Sequence, residues 1–187
     1  MHIDSWETQS RKVLLDRAPW LVVEEHEVKS PSGAMISGWT WVVLRDYVNI
    51  VAVTPEGQFV LLRQAKYAVR TKSLAVAGGY IDVDRNEEPL NAAKRELAEE
   101  TGYHSNHWVS LAHYAIDANR GCGVGFLFLA LDVFQVGDPT ERDAAGDELV
   151  LMSQDDVRAA LLKGEFRVCS WVNAVSMALL WLDTPHR

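Results

Sequence analysis

A chain of 187 residues with a net charge of −8, 48% hydrophobic and 24% charged residues has the balance of an ordinary globular protein, long enough for one domain plus a modest extension. The acidic balance and the lack of any Lys/Arg cluster argue against a nucleic-acid partner, whose binding rests on a basic footprint, but leave phosphorylated small molecules open because metal ions supply positive charge locally. No apolar run approaches the roughly 20 residues that cross a bilayer, so no membrane partner is expected.

Residues 1–7 have neither a basic nor an apolar leader region, and Cys122 and Cys169 are too few for a disulfide framework. The two cysteines read as lone, packed thiols in a reducing cytoplasm.

In chain order, residues 13–15 and 20–28 read as short strands, and Pro31 and Gly33 mark a turn. Residues 35–44 and 47–54, rich in Val, Ile, Trp and Tyr, read as strands. Pro55, Glu56 and Gly57 then turn the chain into 58–63, making a hairpin. Residues 86–101 are the clearest helix: Leu90, Ala93 and Leu97 recur at helical spacing and Gly102 stops it.

Strands return at 108–116 and 124–133, and the polar, acidic stretch 137–146 reads as a loop. After the short apolar run 149–152, Ser153 caps a helix that Gly164 ends, and Ser170 is placed to cap a last helix over 171–182. The apolar positions of that helix nearly encircle it, the mark of a buried helix. The element order describes a mixed α+β fold.

The chemistry lies between Gly78 and Tyr103. Glu96 and Glu100, four apart, share a helix face with Glu99 beside them, while Leu90, Ala93 and Leu97 anchor another face to a sheet. The repulsion among these carboxylates is relieved by hard divalent cations, and a glycine loop brings backbone groups to the same ions and phosphates. Taken alone, Glu96, Glu99 and Glu100 also fit a solvated acidic helix face.

The wider pattern resembles the Nudix box, G-x5-E-x7-R-E-U-x-E-E-x-G-U. From Glu87 the match is complete: seven residues to Arg95, then Glu96, Leu97, Glu99, Glu100, Gly102 and Tyr103. The resemblance implies a Nudix fold, a mixed β-sheet sandwiched between helices, over residues 46–187, with residues 1–45 a small β extension. It further implies Mg2+ or Mn2+ held by Glu96, Glu99 and Glu100 with a carbonyl at or near Gly78, and Arg95 and Glu87 bracing loop and helix. The family's glycine falls where Ile81 stands, so the loop carrying Gly78 and Gly79 is two residues longer than usual.

Outside the box the chain resembles the ADP-ribose pyrophosphatase branch, whose R-Q-Y-R-Y stretch is paralleled by Arg63, Gln64, Ala65, Lys66 and Tyr67. Arg63 and Lys66 are candidates for phosphate oxygens, or solvated charges at a strand end. Trp39, Trp41 and Tyr47 are candidates to stack an adenine, or core residues. Arg120, on a Gly-flanked loop, is a candidate for terminal phosphate or sugar, or part of a plain turn.

The branch's loop acid falls among Glu141, Asp143, Asp147 and Glu148, with Glu148 first choice because it directly precedes 149–152. The resemblance also implies a homodimer built by the β extension. The implied reaction is metal-assisted hydrolysis of a nucleoside-diphosphate compound, ADP-ribose giving AMP and ribose 5-phosphate. Alternatives are another Nudix substrate, such as a nucleotide sugar like GDP-mannose, a dinucleotide, CoA or an oxidised nucleotide, and a nucleotide-sensing module without catalysis.

Overall fold

The apolar and aromatic positions before Asp46 are realised as three antiparallel strands: β1 (Glu7–Arg17), β2 (Leu21–Lys29) and β3 (Met35–Val43). The computed structural model describes residues 5–140 and 147–185, and these fall into two compact units. One comprises the described residues up to Asp46 with Tyr114–Val124; the other comprises Tyr47–His113 and the described residues from Gly125 onward.

In the first unit β1 begins well before the apolar run at 13–15. Its first half, Glu7 to Lys12, is polar and carries no apolar alternation, yet it pairs with β2 from Glu7↔Lys29 to Arg17↔Leu21. Every residue of β1 is exposed, including Val13, Leu14 and Leu15. Cross-strand register sets Arg11 and Trp39 on either side of His26, and Trp41 opposite Glu24. The turn between β8 (His107–Asp117) and β9 (Gly121–Leu131) is fixed by Asp117 Oδ1, which accepts from Asn119 N–H and Arg120 N–H, both at 2.8 Å. The Arg120 carbonyl accepts from Val42 N–H at 2.9 Å, joining this turn to β3.

In the second unit β4 (Tyr47–Val53) pairs in parallel with β9 and in antiparallel with β5 (Phe59–Gln64), confirming a mixed sheet. The β4–β5 hairpin is paired only near its turn, at Ala52↔Val60 and Val53↔Phe59. Beyond that the segment from Ser73 to Tyr80 enters: β6 (Ser73–Ala75) pairs with β5, while Ala77 and Tyr80 bridge to Ile50 and Tyr47 of β4. The glycine pair is thereby set into the sheet.

Alternation of side chains along each strand feeds two cores. Val48, Ile50, Ala52, Val60, Phe128 and Ala130 pack with Ala92, Ala93 and Leu97 of α1 (Pro89–Thr101). Val51, Val53, Leu61, Leu127 and Leu129 pack with α2 (Gln154–Leu162) and α3 (Cys169–Asp183). The sheet of this unit is thus sandwiched between helices, as the Nudix resemblance implies.

Several expectations are corrected. Residues 86–88 are not helical: Asn86 has φ +50°, and α1 starts with Pro89, whose fixed φ and missing N–H suit a first-turn position. Leu90 is exposed rather than part of the anchoring stripe, its place taken by Ala92. Ser153 does cap α2, accepting from Asp156 N–H. Ser170 caps nothing, because α3 begins two residues earlier than expected, at Cys169, with Val168 as N-cap and no side-chain cap.

Helix α3 is one-sided, with Trp171, Ala174, Val175, Ala178 and Leu179 buried but Val172 and Leu180 exposed. Three short strands escape the sequence pattern: β6, β7 (Tyr103–His104) and β10 (Phe134–Gln135). They precede β11 (Glu148–Met152), which pairs with β5. Both cysteines are free thiols, and Cys169 is exposed rather than packed. Among the described residues no helix is long and apolar enough to cross a membrane.

Candidate active site

Helix α1 carries the acidic residues because its other face is small and apolar enough to press against β4. It stops at Gly102, whose φ of +74° is left-handed and whose N–H closes on the Ala98 carbonyl. A side chain at Gly102 would meet the Gly137 carbonyl at 2.1 Å, so the glycine also lets the loop after β10 approach. That loop is tied down: Thr140 N–H donates to the Glu99 carbonyl and Val136 N–H to the Gly102 carbonyl, both at 2.9 Å. Carbonyls left open by the helix end are thus used to place the chain that leads toward β11.

Arg95 is the hub of the charged face. Its Nε and Nη2 donate to the two oxygens of Glu87, each at 3.0 Å, a bidentate pair. Its Nη1 donates to Glu96 Oε1 at 2.7 Å and Glu99 Oε2 at 2.9 Å, and Nη2 also reaches the Tyr80 carbonyl at 3.1 Å. The guanidinium therefore holds its proton more firmly than usual, chiefly through Glu87, and in turn holds the Glu87 carboxyl below the ordinary range. Glu87 also accepts from Asp82 N–H at 2.9 Å, which cinches the long loop 81–88 onto the helix.

Glu96 and Glu100 face the glycine pair. A Cβ at Gly79 would lie 2.4–2.5 Å from the Glu96 carboxyl atoms, and one at Gly78 would lie 2.2 Å from the Val48 carbonyl oxygen. Only glycine permits both approaches. Gly78 N–H donates to Glu100 Oε2 at 2.8 Å. Burial pushes the Glu100 carboxyl up to about 7; the Gly78 bond and Lys66 oppose this, while the charges of Glu96 and Asp147 add to it.

Most of the expected site is brought together: Gly78, Glu87, Arg95, Glu96, Glu99 and Glu100 converge, with Lys66 close enough to act electrostatically on Glu100. Gly78 meets Glu100 through its N–H, and the carbonyl of Gly79 is taken up by Val48 N–H at 2.9 Å. Arg63 is half-buried on β5, opposite Glu148. Glu148 is exposed. It is Asp147 that lines a cavity of about 240 Å3 with Glu100, Gln135 and Asp138. Glu141 and Asp143 lie outside the described residues.

Trp39 and Trp41 belong to the first unit, where they line a separate cavity; Tyr47 belongs to the second, its hydroxyl bonded to Ser170. Arg120 is exposed and sits 3.7 Å from Asp117, outside the lining of the tryptophan cavity. Sequence reasoning missed Gly79's contact with Glu96, the cavity residues Gln135 and Asp138, and His26 and Trp6 beside the tryptophans. For Gly79 the doubled glycine was the available signal; the others carry none at the level of spacing.

Among curated proteins, the ADP-ribose pyrophosphatase of Bacillus subtilis (strain 168) is 27% identical over 120 residues, 64% of this chain and 63% of that protein. The match therefore spans less than two thirds of the relative's length. A crystal structure of an ADP compounds hydrolase superposes with a TM-score of 0.75 at 20% identity, covering 95% of this chain and 94% of that one, a likeness of fold. The NUDIX domain profile matches residues 43–172, and with the complete run from Glu87 to Tyr103 in place, the chain belongs to the Nudix family.

Proposed function

We propose that this chain is a divalent-metal-dependent hydrolase that splits the diphosphate of a nucleoside-diphosphate compound, with ADP-ribose as substrate and AMP and ribose 5-phosphate as products. The observation that carries this reading is the convergence of Glu96, Glu99 and Glu100 with Arg95 and the Gly78–Gly79 pair along the last turns of α1. The names of the sequence relative and the fold neighbour, both enzymes of ADP compounds, support the substrate class.

The donor set fits Mg2+ or Mn2+: three carboxylates offer hard oxygens, and the raised Glu100 is a group that a nearby cation would relieve. Among the described residues no three acidic, His or Cys side chains already form a cation cage, and Arg95 holds Glu96 and Glu99. Glu96, Glu99 and Glu100 would hold the ions in competition with that guanidinium. When bound, the metal supplies Lewis acidity and a more acidic water.

The chain's own groups do the rest. Arg95 and Glu87 keep the loop and the carboxylates in register. Lys66 and Arg63 bind phosphate oxygens. Asp147, rather than Glu148, takes the proton of the attacking water, because it shares the cavity and the field of Glu100. Residues 1–45 serve as an extension to a hydrolase domain spanning 46–187; its Trp39 and Trp41 stack the adenine, and the exposed edge of β1 joins two copies.

A panel of ADP-ribose, GDP-mannose, a dinucleotide and CoA, followed by mass spectrometry with Mg2+ or Mn2+, tests the reading. Conversion of ADP-ribose above the others, with AMP and ribose 5-phosphate in equal amounts, is the expected result. Turnover of another panel member at least ten times faster than ADP-ribose would replace the substrate assignment.

A further inference from the structure

The first unit contains a cavity of about 370 Å3 that the diphosphate chemistry does not use, lined by Trp6, Arg11, His26, Trp39, Trp41 and Asn119 among others. Its size falls in the range of roughly 300–1,000 Å3 of small-molecule sites. Strand alternation and register build it: His26 and Val28 are the buried positions of β2, and Trp39 and Trp41 are two apart on β3. The rings lie close, Trp6 to Trp39 at 5.3 Å and His26 to Trp41 at 5.6 Å with an interplanar angle of 20°. Trp39 Nε1–H is committed to the Asn119 carbonyl at 2.6 Å, so this indole offers only its faces. Flat apolar walls with Arg11 among them suit an aromatic ring attached to an anion and disfavour a cation.

His26 is the buried polar side chain of this unit among the described residues, only 4% exposed. Its Nε2 lies 2.7 Å from Glu24 Oε2. A carboxylate only accepts, so Nε2 carries the hydrogen, and a singly protonated ring then has its lone pair on Nδ1. No protein group hydrogen-bonds Nδ1 among the described residues. The cavity therefore combines ring-stacking walls with a lining imidazole whose Nδ1 is left to accept from a ligand.

We propose that His26, fixed in one tautomer by Glu24, reads the exocyclic amine of an aminopurine held against Trp39 and Trp41, and so selects adenine over oxopurine nucleotides. An oxopurine sets a carbonyl oxygen where adenine sets its amine, bringing two acceptors together. A site built for a donor rejects such an analogue strongly. The inference rests on the nucleotide-binding reading above and deepens it to the choice of base.

The test is binding of AMP and IMP to the full chain at pH 8 with EDTA, followed by tryptophan fluorescence. The wild type is expected to bind AMP at least ten times more tightly than IMP. Glu24→Gln, whose amide can donate to Nε2 as well as accept from it, frees the tautomer. It should bring the ratio to within about threefold while AMP still binds. His26→Phe, which keeps the stack on Trp41, should also erase the ratio.

Equal binding of AMP and IMP by wild type, or an unchanged ratio in Glu24→Gln with wild-type Tm, overturns the proposal. So does the absence of binding by either nucleotide at about 10 mM, weaker than any useful recognition. Metal-dependent hydrolysis of ADP-ribose with no AMP preference would sink the base-reading role alone. An AMP preference without hydrolysis would sink the catalytic reading alone.

Discussion

Gly78 N–H and Glu100 Oε2 are joined at 2.8 Å, and that bond ties the segment bearing the glycine pair to the last turn of α1. The bond favours the ionised carboxylate, yet burial wins and leaves Glu100 pushed up to about 7 from an ordinary 4.5. A folded-state pKa above the unfolded one means stability that is fully present below about 4.5 and lost as pH rises through about 7. In EDTA, the Tm of wild type should therefore fall between pH 5 and pH 8 relative to that of Glu100→Gln, which has no proton to lose. Differential scanning fluorimetry of the two proteins side by side measures this; a pH-independent difference would contradict it.

The two glycines should fail in different ways. A Cβ at Gly78 meets the Val48 backbone oxygen at 2.2 Å, so Gly78→Ala forces the sheet itself to move and should cost about 2 kcal/mol or more of stability. The nearest atoms that a Cβ at Gly79 meets are those of the Glu96 carboxyl, at 2.4–2.5 Å, so Gly79→Ala displaces a side chain. Chemical denaturation should show Gly79→Ala near wild type, while metal-dependent turnover drops at least tenfold. Equal destabilisation by both changes would refute the distinction.

Removing Arg95 releases three carboxylates at once. Because the side chain is 31% exposed, solvent screens the network, and Arg95→Ala should lower stability by about 1–2 kcal/mol rather than by the larger cost of a fully buried pair. The freed Glu96 and Glu99 then lack their competing guanidinium. Mn2+ should accordingly raise the Tm of Arg95→Ala more than that of wild type. The same thermal shift in both would show that Arg95 and the cation do not compete.

Asp147 and Glu148 are neighbours with different surroundings. Asp147 lines the cavity with Glu100, whereas Glu148 stands exposed opposite Arg63. A general base contributes about 10²–10⁴-fold, so Asp147→Asn should lower kcat by at least a hundredfold and Glu148→Gln by less than about threefold. The reverse order would return the role to Glu148.

The helix and its charges were readable because their information is local. Seven residues separate Glu87 from Arg95, and one helical repeat aligns Glu96 with Glu100. The start of α1 was misplaced because Asn86 to Glu88 look helix-compatible, while the Arg95–Glu87 pair and the left-handed Asn86 hold them as a loop. That Asp147 lines the cavity with Glu100 while Glu148 stands opposite Arg63 was hidden, since it depends on the pairing of β11 with β5. His26 and Trp6 were invisible for the same reason: they reach Trp39 and Trp41 only through the pairing of three strands, and nothing in their spacing announces it. Strand β6 has only three residues, all buried, too short for any alternation to register.

Metal-dependent hydrolysis through Glu100 is tested most directly by the steady-state rate of AMP release from ADP-ribose by wild type and Glu100→Gln, each with Mg2+ and with EDTA. Hydrolysis by wild type only in Mg2+, and a loss of at least a hundredfold in folded Glu100→Gln, is the expected result. Equal rates in EDTA and Mg2+, or an undiminished rate in Glu100→Gln, would contradict it.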